Sequence, residues 1–229
     1  NWIAGQAIRR LKRGGNCRSM DINWLGHSCF RIKGKQTTVI TDPYSPDLGY
    51  TLGKQSARVV TVSHRHPGHC FVQGIGGEPK QVTGPGEYEI GGVLIVGIPS
   101  YHDEEKGGIR GKNTIYLMHV DDMSVCHLGD LGHALSDEQA EEMGDVDVLL
   151  VPVGGVSTID GSVAAGLVRQ LTPKVVIPMH YQTEALNREL EPVARFLKEM
   201  GVEEVTSVPK LSVTRSNMPA LTQVCLLDY

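Results

Sequence analysis

The chain has 229 residues, 40% of them apolar, 21% charged and only 5% aromatic, with 27 Gly and 12 Pro. This is the balance of a globular protein, and it excludes a disordered, collagen-like or membrane-bundle chain. The net charge of −4 is uneven, because Arg9, Arg10, Lys12, Arg13 and Arg18 lie in the first 19 residues without an acid. The rest of the chain is therefore acidic, which argues against nucleic acid as the main partner.

Residues 1–19 read as a basic N-terminal extension, expected to be unstructured and outside the domain, which would run from 20 to 229. The extension lacks the apolar core, roughly 7–15 residues, of a secretory leader. Strands are expected at Asp21 to Trp24, Cys29 to Lys33, Thr37 to Thr41 and Arg58 to Val62. Others follow at Glu87 to Ile90, Val93 to Pro99, Asn113 to Val120 and Met123 to Leu128, with Gly91-Gly92 and Asp121-Asp122 as hairpin connections. The second half alternates: a helix starting at Ser136-Asp137-Glu138, a strand Val146 to Val153, a helix from Gly161 to Leu171 and a strand Lys174 to Met179. A long helix over Glu184 to Met200 and a last strand near Gln223 to Leu227 complete the chain. Runs such as Val148-Leu149-Leu150-Val151 are apolar at every position, so both faces of that sheet must be covered. The pattern fits an α/β fold, either a four-layer αββα sandwich or a three-layer α/β domain. Val146 to Val153 is the longest near-continuous apolar run, and it falls far short of the ~18–20 residues a membrane span needs. Five cysteines without a CxxC pair do not form a disulfide framework, so a reducing cytoplasm is the expected compartment.

The densest chemistry lies in Ser63-His64-Arg65-His66-Pro67-Gly68-His69-Cys70, directly after an apolar strand. Three imidazoles in six residues cannot all find separate buried partners, and they are placed to share a metal ion. Other ligand-type residues stand where further strands run out: His102 in Ser100-Tyr101-His102-Asp103, Asp130 in Gly129-Asp130-Leu131-Gly132, and His180 after Val175 to Met179. Strand ends are where α/β folds build their sites. No Gly-x-x-x-x-Gly-Lys-Ser/Thr and no Gly-x-Ser-x-Gly occurs, so neither a nucleotide cofactor nor a serine nucleophile is indicated.

The order His64-x-His66-x-x-His69, His102, Gly129-Asp130 and Met179-His180-Tyr181 resembles the metallo-β-lactamase superfamily of αββα hydrolases. Trp24-Leu25-Gly26-His27-Ser28, Thr41-Asp42-Pro43 and Ile177-Pro178-Met179-His180-Tyr181 look like the branch that includes the L-ascorbate-6-phosphate lactonases and related zinc-dependent hydrolases. That resemblance implies a four-layer sandwich with His64, His66 and His102 on one metal, His69 and His180 on the other, and Asp130 bridging. It implies a hydrolase acting on a lactone, ester, amide or phosphoester small molecule, with Asp130 and His180 as the catalytic residues. Zn²⁺ is the expected cofactor, one or two per chain, and Mn²⁺ or Fe²⁺ also suits such donors. Asp42 would orient the histidine loop without touching metal.

One position departs from the family pattern, His-x-His-x-Asp-His: Gly68 stands where the aspartate would be. The second position should then load more weakly, unless another side chain completes it. Candidates are His27, His127 and Asp103, with Cys70 a lesser one. An alternative consequence is a degenerate member kept as a binding or regulatory protein. Arg110, Lys112 and Asn113 form a solvated loop or meet an anionic substrate, and His119 is expected on a strand surface.

Overall fold

The structure, a computed structural model, describes residues 19–229. The basic extension therefore lies outside the described residues except for Ser19. In chain order the strands begin with β1 (Met20–Gly26), β2 (Cys29–Lys33), β3 (Thr38–Thr41), β4 (Gln55–Ser56), β5 (Val59–Val62), β6 (Ile75–Gly76) and β7 (Lys80–Thr83). There follow β8 (Gly86–Ile90), β9 (Val93–Tyr101), β10 (Lys112–Val120) and β11 (Met123–His127). The remaining elements are α1 (Asp137–Met143), β12 (Val148–Pro152), α2 (Gly161–Leu171), β13 (Val175–Met179), α3 (Val193–Glu199), β14 (Leu211–Val213) and β15 (Gln223–Val224).

Two sheets face each other, one ordered β14-β1-β2-β3-β5-β7 and the other β15-β13-β12-β11-β10-β9-β8, beside a short β4-β6 ribbon. The main core draws on both, with Phe30, Ile32, Val39 and Val59 from the first and Ile95, Ile115, Val125 and Leu149 from the second. A second cluster unites Cys29, Ile40, Val60 and Val62 with Tyr44, Leu48, Tyr50 and Leu186. Neighbours in β5 thus belong to different cores, because alternate side chains of a strand point to opposite faces. That is why the strand is buried throughout. The αββα plan expected from the sequence is present with a thin helical layer: α2 packs on α3 and β12, while irregular chain and a 3₁₀ turn at Pro46–Leu48 supply the second cluster.

Helix starts are set by side chains. Ser136 and Gln139 form a capping box at α1, and the Asp160 carboxylate accepts from Ser162 and Val163 N–H at α2. The helix expected over Glu184 to Met200 is corrected to α3 alone. Pro192 is its N-cap, and the chain before it is closed into an irregular loop by Gln182 N–H donating to Glu191 O and Leu190 N–H to Gln182 Oε1. The apolar spacing of Leu186 and Leu190 serves the second cluster, not a helix face.

β3 and β5 are parallel, as are β11, β12 and β13, and β9 shares their direction with β11 because both pair antiparallel with β10. The carboxyl ends of strands from both sheets thus gather at one edge of the sandwich. The two-residue hairpins at Gly91-Gly92 and Asp121-Asp122 form as expected and mark the opposite edge. A cleft of about 400 Å³ lies there, lined by 34–37, 91–93, 120–123 and Arg215, and it holds no histidine. No helix among the described residues is long and apolar enough to cross a membrane.

Candidate metal centre

Asp42, at the carboxyl end of β3 with φ 37°, gathers the histidine loop. Its Oδ1 accepts from Ser63 N–H at 2.8 Å, and its Oδ2 accepts from Ser63 Oγ–H and from His69 Nδ1–H at 2.9 Å. Burial raises the Asp42 carboxyl, but the hydrogen bond from His69 and the surrounding imidazoles win and hold it below the usual range. The carboxylate can only accept, so His69 donates from Nδ1 and turns Nε2 inward. Ser63 Oγ also meets His64 Nδ1 at 2.9 Å.

Asp130 is delivered by the turn after β11. Its N–H donates to Asn113 Oδ1 at 3.0 Å, and Asn113 Nδ2 donates to Ser100 Oγ and Leu128 O. Gly129 has φ 58°, and a Cβ there would sit 2.4 Å from Asn113 Oδ1. A Cβ at Gly132 would lie 2.2 Å from the His102 carbonyl carbon. The Gly-Asp-Leu-Gly segment therefore approaches the β9 end as only glycine allows.

The Asp130 Oδ2 atom lies 3.1 Å from His69 Nε2, 3.3 Å from both His102 Nε2 and His180 Nε2, and 3.8 Å from His64 Nε2. Burial opposes its charge, yet His180 and His69 outweigh burial and keep the carboxyl ionised, well below its ordinary value. Burial and then the His69 charge push His64 down to about 3. Burial, then the neighbouring imidazoles, lowers His27 and His66 as well. These rings are neutral at pH 7, the form in which an imidazole can bind a metal. His69 goes the other way, up to about 10, because Asp130 and Asp42 flank it and overcome its burial.

Ligand atoms of His64, His66 and His102 lie within 4.8 Å of one another, as do those of His27, His69 and His180 and those of Asp42, His64 and His69. All six expected residues, His64, His66, His69, His102, Asp130 and His180, thus meet at one place. His66 is exposed while the others are buried, so the centre opens to solvent on its side. A divalent cation fits on the chemistry of this structure: both nitrogens of His27, and the His64 Nε2 that faces Asp130, are buried without a hydrogen-bond partner. Each such atom costs about 1–3 kcal/mol unless something satisfies it.

The other candidates divide clearly. His127 is spoken for, donating from Nε2 to Ser28 O at 2.8 Å and accepting Gly129 N–H at Nδ1. Asp103 binds its own loop, accepting the N–H groups of Glu105, Gly107, Ile109 and Arg110. Cys70 packs beside the second cluster. His119 is exposed on β10 as expected. Asn113 is corrected: it is 1% exposed and supports Asp130, whereas Arg110 and Lys112 are exposed. The roles of Asn113 and Ser63 were not legible beforehand, and only the position of Ser63 beside the histidine run hinted at one.

A family model described as the beta-lactamase superfamily domain matches residues 21–180. The chain belongs to the metallo-β-lactamase superfamily. It is similar to a metal-dependent hydrolase of Methanoculleus marisnigri, 29% identical over 217 residues, which cover 82% of this chain and 91% of that protein. A Thermotoga maritima structure, assigned to the zinc-dependent hydrolases of the superfamily, is 37% identical with a TM-score of 0.76, covering 91% of this chain and 98% of that one. The short form of human tRNase Z, 10% identical with a TM-score of 0.55 over 72% of this chain and 93% of its own, shares the fold alone. The superfamily fold explains why histidines and carboxylates from both sheets converge at one edge.

Proposed function

We propose that this chain is a metal-dependent hydrolase of a small molecule, with His64, His66 and His102 holding one ion, His69 and His180 a second, and Asp130 between them. The observation that carries the reading is the single Asp130 oxygen within 3.1–3.8 Å of four imidazole nitrogens. A bound divalent ion, Zn²⁺ by preference for this nitrogen-rich set, supplies Lewis acidity toward the scissile group and acidifies water. The protein fixes the rest. Asp42 locks the His69 ring, Asn113 locks the Asp130 turn, and the Asp130 carboxylate, whose Oδ1 accepts from Ser28 Oγ–H at 3.5 Å, would accept a hydrogen bond from the attacking water and orient it. His180 Nε2 faces the same carboxylate, so its loss removes metal and turnover together.

The exposed Arg188 stands near enough for its charge to disfavour protonation of His27 and His66. Its positive charge would suit an anionic substituent on the substrate. A phosphorylated lactone, the substrate class of the L-ascorbate-6-phosphate lactonases, is therefore the first compound to test. The four free cysteines among the described residues support a reducing compartment, the cytoplasm. The experiment is hydrolysis of phosphorylated and neutral lactones by protein reconstituted with Zn²⁺. Turnover lost in Asp130→Asn, and a KM raised in Arg188→Ala for the phosphorylated lactone only, are the expected results. Full metal loading with no turnover of lactones, esters, amides or phosphoesters would overturn the reading in favour of a binding or regulatory protein.

A further inference from the structure

The turn between β1 and β2 places His27 in the wall of the metal centre. Its backbone is held at φ 52°, and its carbonyl accepts both Trp24 Nε1–H at 2.8 Å and His180 N–H at 3.2 Å. The ring is 2% exposed, and neither Nδ1 nor Nε2 has a hydrogen-bond partner. Its centroid lies 4.2 Å from that of His180 and 4.9 Å from that of His69. A buried imidazole with both nitrogens unsatisfied, set against two ligand rings, needs a partner that the protein itself does not provide.

Gly68 faces the same ring. A Cβ built there would stand 3.3 Å from His27 Nε2 and 3.3 Å from Leu48 Cδ1, tighter than ordinary contact. The backbone of Gly68 is not in the left-handed region. Conformation therefore does not require glycine here, and what the missing side chain provides is room for His27. The space that a carboxylate on residue 68 would enter is held by an imidazole from a different strand turn.

We infer that His27 is the third imidazole of the second metal position, in place of the carboxylate that Gly68 lacks. The inference rests on the metal-dependent reading above and deepens it. Two three-histidine sets, His64, His66 and His102 and then His27, His69 and His180, share Asp130 as their one carboxylate. The exchange of an anionic oxygen for a neutral nitrogen shifts the second position toward ions that prefer imidazole, such as Zn²⁺, and away from Mn²⁺.

The test is calorimetric titration of chelator-treated protein with Zn²⁺ and with Mn²⁺, using wild type, His27→Ala, Gly68→Asp and the double variant. Two Zn²⁺ equivalents are expected in wild type. In His27→Ala the first should be unchanged and the second weakened by about tenfold or more. The double variant should recover the second equivalent and accept Mn²⁺ better than wild type does, because truncating the His27 ring frees the space that a carboxylate on residue 68 needs. Gly68→Asp alone should gain nothing. An unchanged second equivalent in His27→Ala, or a tightened one in Gly68→Asp alone, would overturn the assignment while leaving the metal centre intact. Wild type that takes up no metal would instead overturn the metal-dependent reading, and this inference with it. Nitrogen NMR of the imidazoles in wild type gives an answer free of folding effects: a His27 ring nitrogen should shift with the second Zn²⁺ equivalent, and no shift refutes the inference.

Discussion

The His69 ring is clamped between two carboxylates: its Nδ1 lies 2.9 Å from Asp42 Oδ2 and its Nε2 lies 3.1 Å from Asp130 Oδ2. Asp42 arrives from β3 of one sheet and Asp130 from the end of β11 in the other, so this one side chain ties the sheets together at the metal edge. Between two carboxylates the ring carries a proton on both nitrogens and donates to each; an ion at Nε2 would displace that proton and leave the one that Asp42 holds on Nδ1.

Asp42→Asn should therefore weaken metal binding without touching a ligand. Removing such an orienting partner typically costs about 10–100-fold in affinity. Competition against a chromophoric chelator measures it, and a change below about threefold would contradict the orienting role.

Chelation should destabilise the fold as well as the activity, because Asp130 and five imidazoles share a buried pocket. An ion at about 1,000 times its Kd contributes roughly 4 kcal/mol. At about 2–4 °C per kcal/mol for a chain of this size, the melting temperature should fall by roughly 10 °C on adding chelator. Calorimetry with and without Zn²⁺ decides it, and coincident melting curves would refute a metal that matters to folding.

His66→Ala separates binding from stability, since His66 is exposed while the other proposed ligands are buried. The metal-free variant should unfold within about 0.5 kcal/mol of wild type. It should nevertheless lose tight loading of the first position. Unchanged metal stoichiometry and affinity, measured by elemental analysis and titration, would remove His66 from the set.

Asn113→Ala takes away three hydrogen bonds in one step, to Asp130 N–H, Ser100 Oγ and Leu128 O, at a fully buried site. Leaving those groups unsatisfied should cost about 2–4 kcal/mol in urea unfolding and lower metal affinity through the freed Asp130 turn. A variant as stable as wild type would show that water replaces the amide.

Much of this was legible in local sequence. β1, β2, β5 and β9 to β11 follow from alternation, β-branched content and glycine turns, and α2 from Asp160 and its apolar spacing, because each depends on residues within a few positions. The chemistry of the centre was equally local, since a histidine run after an apolar strand is written in consecutive residues. The segment 184–192 misled because apolar spacing states only that a face is buried. Here the burial is against Tyr44 and Leu48 on the outside of a sheet, with Pro192 deferring the helix. β14 escaped notice because so short a strand exists only through its pairing with Met20 to Ile22, near the opposite end of the chain.

The sequence by itself determined the donors: imidazoles and one carboxylate at strand ends, with a glycine where the family carries an aspartate. It could not determine which of His27, His127, Asp103 and Cys70 stands opposite that glycine, because residues equally near in sequence can point into different layers of the sandwich. Tertiary structure decided it through hydrogen bonding and space. His127 and Asp103 are satisfied by backbone partners, Cys70 packs outward, and only His27 of the four brings an unsatisfied ring to Gly68. Sequence lists the groups able to bind an ion, but pairing of strands far apart along the chain sets which of them meet.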